Sequence, residues 1–284
     1  VFFTIQNENL NEFENRFIDE LKPRDEVARA IYEKIEKNQK VYLDLRHLGI
    51  DKIKELMPQE RRLAYDYSNI KIEEQLLPIS PASHYSMGGI KTDINARTNI
   101  RNLFACGECA EASIHGANRL GGNSLLEIVT FGKIAGINAS NDEKNIGEIN
   151  TSTKYAKEDE ENINNIYNYS TKINFYTKKD DIGNLLFNNL GLFRNEKKIS
   201  ALIKTIEELN LDIKNMGIVD KSKTYNKNLV EFLEFRNILN VALLVSISAL
   251  NRKESRGSHF RLDYPLERQE YEKNTIIKKL DNKI

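Results

Sequence analysis

Where the glycines fall constrains this chain more than any other feature. Most of its 14 glycines lie between residues 82 and 142, and three of them, Gly116, Gly121 and Gly122, precede an apolar run from Ser124 to Ser140. Glycine allows backbone conformations and close approaches that side chains forbid. The run places Leu125, Ile128, Val129, Ile134 and Ile137 at helical spacing, so HGANRLGGNSLL (115–126) reads as a Gly-rich approach to a helix start. A helix start offers unpaired N–H groups and a positive dipole end, which attract an anion or an electron-rich ring. Arg119 stands just ahead of it, and a planar guanidinium suits a carboxylate bidentately. On these residues alone, glycines that only ease packing and a surface arginine remain an open alternative.

The flanking segments differ in texture. Pro23 to Lys37 reads as a helix with acids in its first turn, Val41 to Leu45 as a strand, and residues 50–66 as a further short helical pattern. Pro78 and Pro81 mark a boundary. His84 to Thr92 (HYSMGGIKT) looks like a strand interrupted by a Gly pair, Asp93 to Thr98 has turn chemistry, and Asn102 to Cys106 reads as a short buried strand. A polar linker is expected from Asn141 to Asp159. A helical bundle follows from Glu160 to about Leu250, with apolar positions such as Leu202, Ile206, Phe232 and Leu239. The charged tail, 251–284, holds one dense motif, ESRGSHFRLDYP.

Composition excludes several classes. Lys+Arg and Asp+Glu are both 42, so no charge excess points to nucleic acid or to an acidic tail. There is no run of about 18 apolar residues, so no membrane span is expected, and Ile238 to Leu250 reads as a buried helix. Val1 stands inside an apparent element, so the chain reads as a fragment that has lost any targeting signal. The only cysteines, Cys106 and Cys109 in FACGEC, cannot form a disulfide framework. No second pair or nearby His completes a zinc set, so no metal is expected, and both read as small buried residues at a strand end.

Two further residues carry candidate chemistry. His84, beside the Gly pair, can donate to a carboxylate or shuttle a proton, although a lone His is commonly structural. Arg24, in KPRDEVARAI, opens a helix; there it is either solvated, paired with an acid such as Asp25, or functional.

Taken in order, PRDEVARAI, VYLDLRHLG, SHYSMGGIKTD, LFACGECAEASIHGANRLGGNSLLE and RKESRGSHFRLDYP resemble the flavoprotein subunits of succinate dehydrogenase and fumarate reductase, with L-aspartate oxidase as a relative. The resemblance runs from about residue 20 to the end. It implies FAD as cofactor, a dicarboxylate (succinate or fumarate) as substrate, and an iron–sulfur subunit as partner. It also implies peripheral attachment to the cytoplasmic face of a membrane through partner subunits only. Position by position, Arg24 matches the catalytic proton-delivering arginine, and His84 and Arg119 match the residues that grip substrate carboxylates. Glu108 matches an acid contacting FAD, and Ser124 and Leu125 match backbone positions against the flavin ring. No G-x-G-x-x-G follows a first strand, so the adenosine- and pyrophosphate-binding half is expected to be absent, and the chain alone is expected not to retain FAD.

The expected fold is α+β with an α/β portion. A capping-domain remnant (1–80) precedes the closing part of an FAD-binding domain (81–145), an antiparallel helical bundle (146–250) and a short C-terminal tail (251–284). L-aspartate oxidation is the rival activity, and a non-catalytic assembly module is the rival of another class.

Overall fold

The computed structural model describes residues 2–6, 13–14, 17–143 and 153–278. The chain forms two compact units, Val1–Tyr85 and Ser86–Ile284.

The first unit is built on an antiparallel sheet. Strands β1 (Phe2–Gln6), β2 (Phe13–Glu14), β3 (Lys40–Asp44) and β4 (Leu77–Pro78) lie in the order β2-β1-β3-β4. Helix α1 (Arg24–Glu36) packs Val27 and Ile31 against Val41 of β3, with Leu43 and Ile79 alongside. The helical pattern expected over 50–66 resolves into two helices, α2 (Gly49–Leu56) and α3 (Pro58–Ser68). Pro58 explains the break: it has no N–H to continue α2, yet its fixed φ suits the first position of α3. Ile53, Ala64 and Ile72 close a second small core with Leu45.

The second unit opens with two short parallel strands, β5 (Ile90–Lys91) and β6 (Ala110–Glu111). The strands expected over 84–92 and 102–106 are therefore reduced to a two-residue ladder and the single pair Arg97–Phe104. The turn expected over Asp93–Thr98 forms: Asp93 accepts backbone hydrogen bonds from Asn95 and Arg97, both at 2.9 Å, and Ala96 takes positive φ. Asn102 also takes positive φ, so the chain turns there instead of extending. Helix α4 (Asn123–Glu143) follows and overruns the start of the expected linker. Helix α5 (Thr153–Ile166) takes up its end, while residues 144–152 lie outside the described residues.

Helices α6 (Phe175–Leu190), α7 (Glu196–Leu211) and α8 (Lys227–Asn251) pack together as a bundle, which α5 joins through its last residue, Ile166. Asn174, Asn195 and Asn226 each cap a helix by accepting a backbone N–H from the first turn. Ile166, Phe175, Ile182, Ile199, Leu202, Ile206, Phe232, Phe235 and Leu239 form the core. With 25 residues, α8 exceeds the apolar stretch Ile238–Leu250, and its length and composition would suffice to cross a membrane. Here it is a core helix, burying Phe232, Phe235, Leu239, Ala242 and Ala249.

Candidate active site

Two sequence motifs meet at β5 and β6. The Ser86 N–H donates to the Glu108 carboxylate at 2.8 Å, which joins HYSMGG to the CGEC turn. The Ile90 N–H then donates to the Cys109 carbonyl at 2.9 Å. Gly89 is what permits this approach: its φ is +146°, and a Cβ built there would lie 2.4 Å from the Cys109 carbonyl oxygen. Cys109 is exposed and Cys106 only partly covered, which corrects the expectation of two buried cysteines. The turn through Gly107, not a continuing strand, carries Cys109 outward.

From β6 the chain runs through the loop 112–122 into α4. Gly116 and Gly122 adopt positive φ (58° and 82°), the left-handed conformation that glycine takes without penalty. Arg119 is half-buried between them and donates from Nη1 to the Leu120 carbonyl at 3.0 Å. Ser124 and Leu125 stand in the first turn of α4, as expected.

The apolar stripe of α4 lies largely on its exposed side. Leu125 and Val129 are 66% and 69% exposed, and Leu126, Ile128 and Ile137 are exposed as well. The buried positions are Ala135 and the carboxylate residue Glu127. Glu127 sits inward because His115 Nε2 lies 2.8 Å from its Oε2, so the imidazole satisfies the buried carboxylate. Spacing revealed the helix; it could not tell which face meets protein in this chain.

The dense C-terminal motif folds back onto the same loop. Ser258 donates to the Ala117 carbonyl from both its backbone N–H (3.0 Å) and its hydroxyl (2.9 Å). Asn274 Nδ2 donates to Ser113 Oγ at 2.7 Å. The motif is itself held by buried charge. Arg261 is fully buried, forks onto Asp263 with two 2.7 Å bonds, and reaches the last carbonyls of α8 at Ala249 and Leu250. Glu254 is also fully buried. Burial pushes its carboxyl up, but hydrogen bonds from Arg256, the Arg268 backbone and Arg252 outweigh that and hold it at about 2. Glu127, Gly257 and Ser258 were missed from sequence; the density of ESRGSHFRLDYP was the available signal.

Arg24 and His84 belong to the first unit. Arg24 is exposed at the start of α1. Its neighbour Asp25 is engaged by Arg29 at 2.7 Å, one turn along. His84 is exposed on the segment leading to Ser86.

The start of α4 fits a large, electron-rich cofactor. A Cβ built on Gly116, Gly121 or Gly122 would meet nothing within 4 Å, so the backbone there is open to a ligand. The helix end beside them brings N–H donors, and Leu125 an exposed apolar surface. Among the described residues no cluster of His, Cys, Asp or Glu could hold a metal ion.

Comparisons with known proteins agree with this architecture. An FAD binding domain family matches residues 10–125, and the fumarate reductase flavoprotein C-terminal family matches residues 179–283. These define a flavoprotein, with FAD as its cofactor. Over most of its length the chain is similar to fumarate reductase and succinate dehydrogenase flavoprotein subunits. It is 37% identical to the fumarate reductase flavoprotein subunit of Escherichia coli over 264 residues, 89% of this chain and 44% of that protein. It is 32% identical to the succinate dehydrogenase flavoprotein subunit of Coxiella burnetii over 288 residues, 91% of this chain and 48% of that protein. A solved E. coli quinol fumarate reductase variant superposes with a TM-score of 0.83 at 36% identity, covering 94% of this chain and 47% of its own. The chain thus spans about half the length of the relatives it matches.

Proposed function

We propose that this chain supplies the dicarboxylate-binding part of a flavoprotein that interconverts succinate and fumarate and passes electrons to an iron–sulfur subunit. The observation that carries the reading is a guanidinium, Arg119, fixed on a braced loop immediately before an open helix start. The relatives named fumarate reductase and succinate dehydrogenase flavoprotein subunits favour the substrate pair.

Bound FAD supplies a hydride donor and acceptor at its N5 atom. The residues of this chain do the rest. Arg119 takes one carboxylate bidentately, and His84 hydrogen-bonds a carboxylate oxygen, so charge is drawn from the reacting carbon–carbon bond. Arg24 delivers a proton to the carbon next to the one that accepts hydride. A guanidinium is not deprotonated at ordinary pH, so Arg24 works only if its proton is replaced at once through neighbouring acids. Glu108, which orders the 86–92 segment, would contact FAD, and the N–H groups of Ser124 and Leu125 would hold the flavin ring at the helix start. Attachment to the cytoplasmic face of a membrane follows through partner subunits.

The test is anaerobic bleaching of the flavin absorbance in the FAD-loaded protein completed with a dinucleotide-binding half, with succinate or L-aspartate as reductant. Bleaching by succinate, lost in R119K and slowed in R24K, is the expected result. Bleaching by L-aspartate alone would reassign the substrate, and no bleaching by either would favour a non-catalytic module.

A further inference from the structure

We propose that Gly257 and Ser258 are positioning residues for Arg119, acting through the carbonyl of Ala117. The proposal rests on the reading of Arg119 as a carboxylate clamp.

Its basis is how contacts are distributed along the loop. Residues 113 and 117 are held by two points of the C-terminal tail and residue 115 by α4, and Arg119 is the next alternate position. Ser113 receives Asn274, His115 meets the buried Glu127 of α4, and Ala117 receives Ser258 twice. The Ala117 contact is the most intimate. Gly257 has φ +54°, and a Cβ there would lie 2.5 Å from the Ala117 carbonyl oxygen and 3.0 Å from its Cβ. Backbone therefore lies against backbone two residues before the clamp, 141 residues apart in sequence for the Ser258–Ala117 pair.

The tail is built as a rigid peg at this point. Arg256 and His259 exchange backbone hydrogen bonds at 2.8 and 3.0 Å, so Gly257 and Ser258 form the tip of a tight turn. The base of the turn is fixed on several sides. Arg256 Nε and Nη2 both donate to Glu254 at 3.0 Å, and the His259 ring lies between Arg194 Nη1 (2.9 Å) and the Arg252 carbonyl (3.0 Å). A bidentate clamp loses its advantage once its fork drifts by about half an ångström. A peg that fixes the loop two residues upstream limits that drift.

Three variants test this: S258A removes the hydroxyl bond, G257A forces the turn off the loop, and S258T keeps a hydroxyl. In the chain itself, amide hydrogen exchange over 113–120 should speed up in S258A and G257A and stay near wild type in S258T. In the completed FAD-loaded protein, the Kd for malonate and the KM for succinate should rise ~3- to 10-fold in S258A, the size expected for one hydrogen bond. G257A should raise both further, with a smaller change in kcat. I206V in the bundle core serves as control: it should lower the melting temperature and leave loop exchange and malonate affinity unchanged. Wild-type malonate affinity in S258A and G257A, alongside lost binding in R119K, would overturn the positioning role. Malonate binding that survives R119K would instead remove the clamp reading itself, and this assignment with it.

Discussion

His259 makes the second unit sensitive to pH in a defined window. Its Nδ1 faces Arg194 Nη1 at 2.9 Å, and a guanidinium can only donate, so Nδ1 must accept. Its Nε2 faces the Arg252 carbonyl at 3.0 Å and must therefore carry the proton. The ring is thus locked as the neutral Nε2–H tautomer. Burial, followed by the nearby charge of Arg194, holds it at about 4 instead of 6.5. Because the folded state resists protonation, the unfolded chain binds more protons between about pH 6.5 and 4, and stability falls as the pH drops through that window. From these two values the loss between pH 7 and pH 5 is about 2 kcal/mol. Glu254 and Asp263, both held at about 2 mainly by arginine hydrogen bonds, lose their contribution only as the pH falls from about 4 towards 2. They leave the pH 7 to 5 interval to His259. Urea unfolding followed by circular dichroism at several pH values should show this slope in the parent chain and a much flatter one in H259Q. Equal slopes in the two proteins, or a His259 ring titrating near 6.5 by NMR, would refute the reasoning.

Two other variants report on local geometry. G89A places a methyl 2.4 Å from the Cys109 carbonyl at a φ few side chains adopt; it should cost about 2–4 kcal/mol in urea unfolding, and a cost below about 0.5 kcal/mol would show that β5 and β6 tolerate separation. The outward face of α4 should bind an apolar dye such as ANS in the chain alone. V129K with I137K should weaken that binding without lowering the melting temperature, because both side chains are more than half exposed, and a clear drop in melting temperature would mean the face is packed in solution.

Much of the local structure was legible in the sequence because it depends on neighbours along the chain. The acids after Pro23 and the apolar spacing that follows mark α1, and alternation marks β3. The Gly-rich approach to Ser124 identified the start of α4, and the order of motifs identified the resemblance. Boundaries slipped where a single residue decided them, as at Pro58, or at Asn102, whose positive φ turns the chain where a strand was expected.

What the sequence could not determine is which faces meet. Periodicity gives α4 an apolar stripe but not a partner for it, and in this chain the stripe faces outward while Glu127 turns in to His115. No spacing rule places Ser258 on Ala117, or brings Arg194 to His259 across 65 positions, because such contacts arise only when the whole second unit has closed. The sequence by itself set the helices, the glycine-rich loop and the resemblance. Tertiary structure alone decided how that loop is held, because hydrogen bonds between distant segments depend on the packing of the elements that carry them.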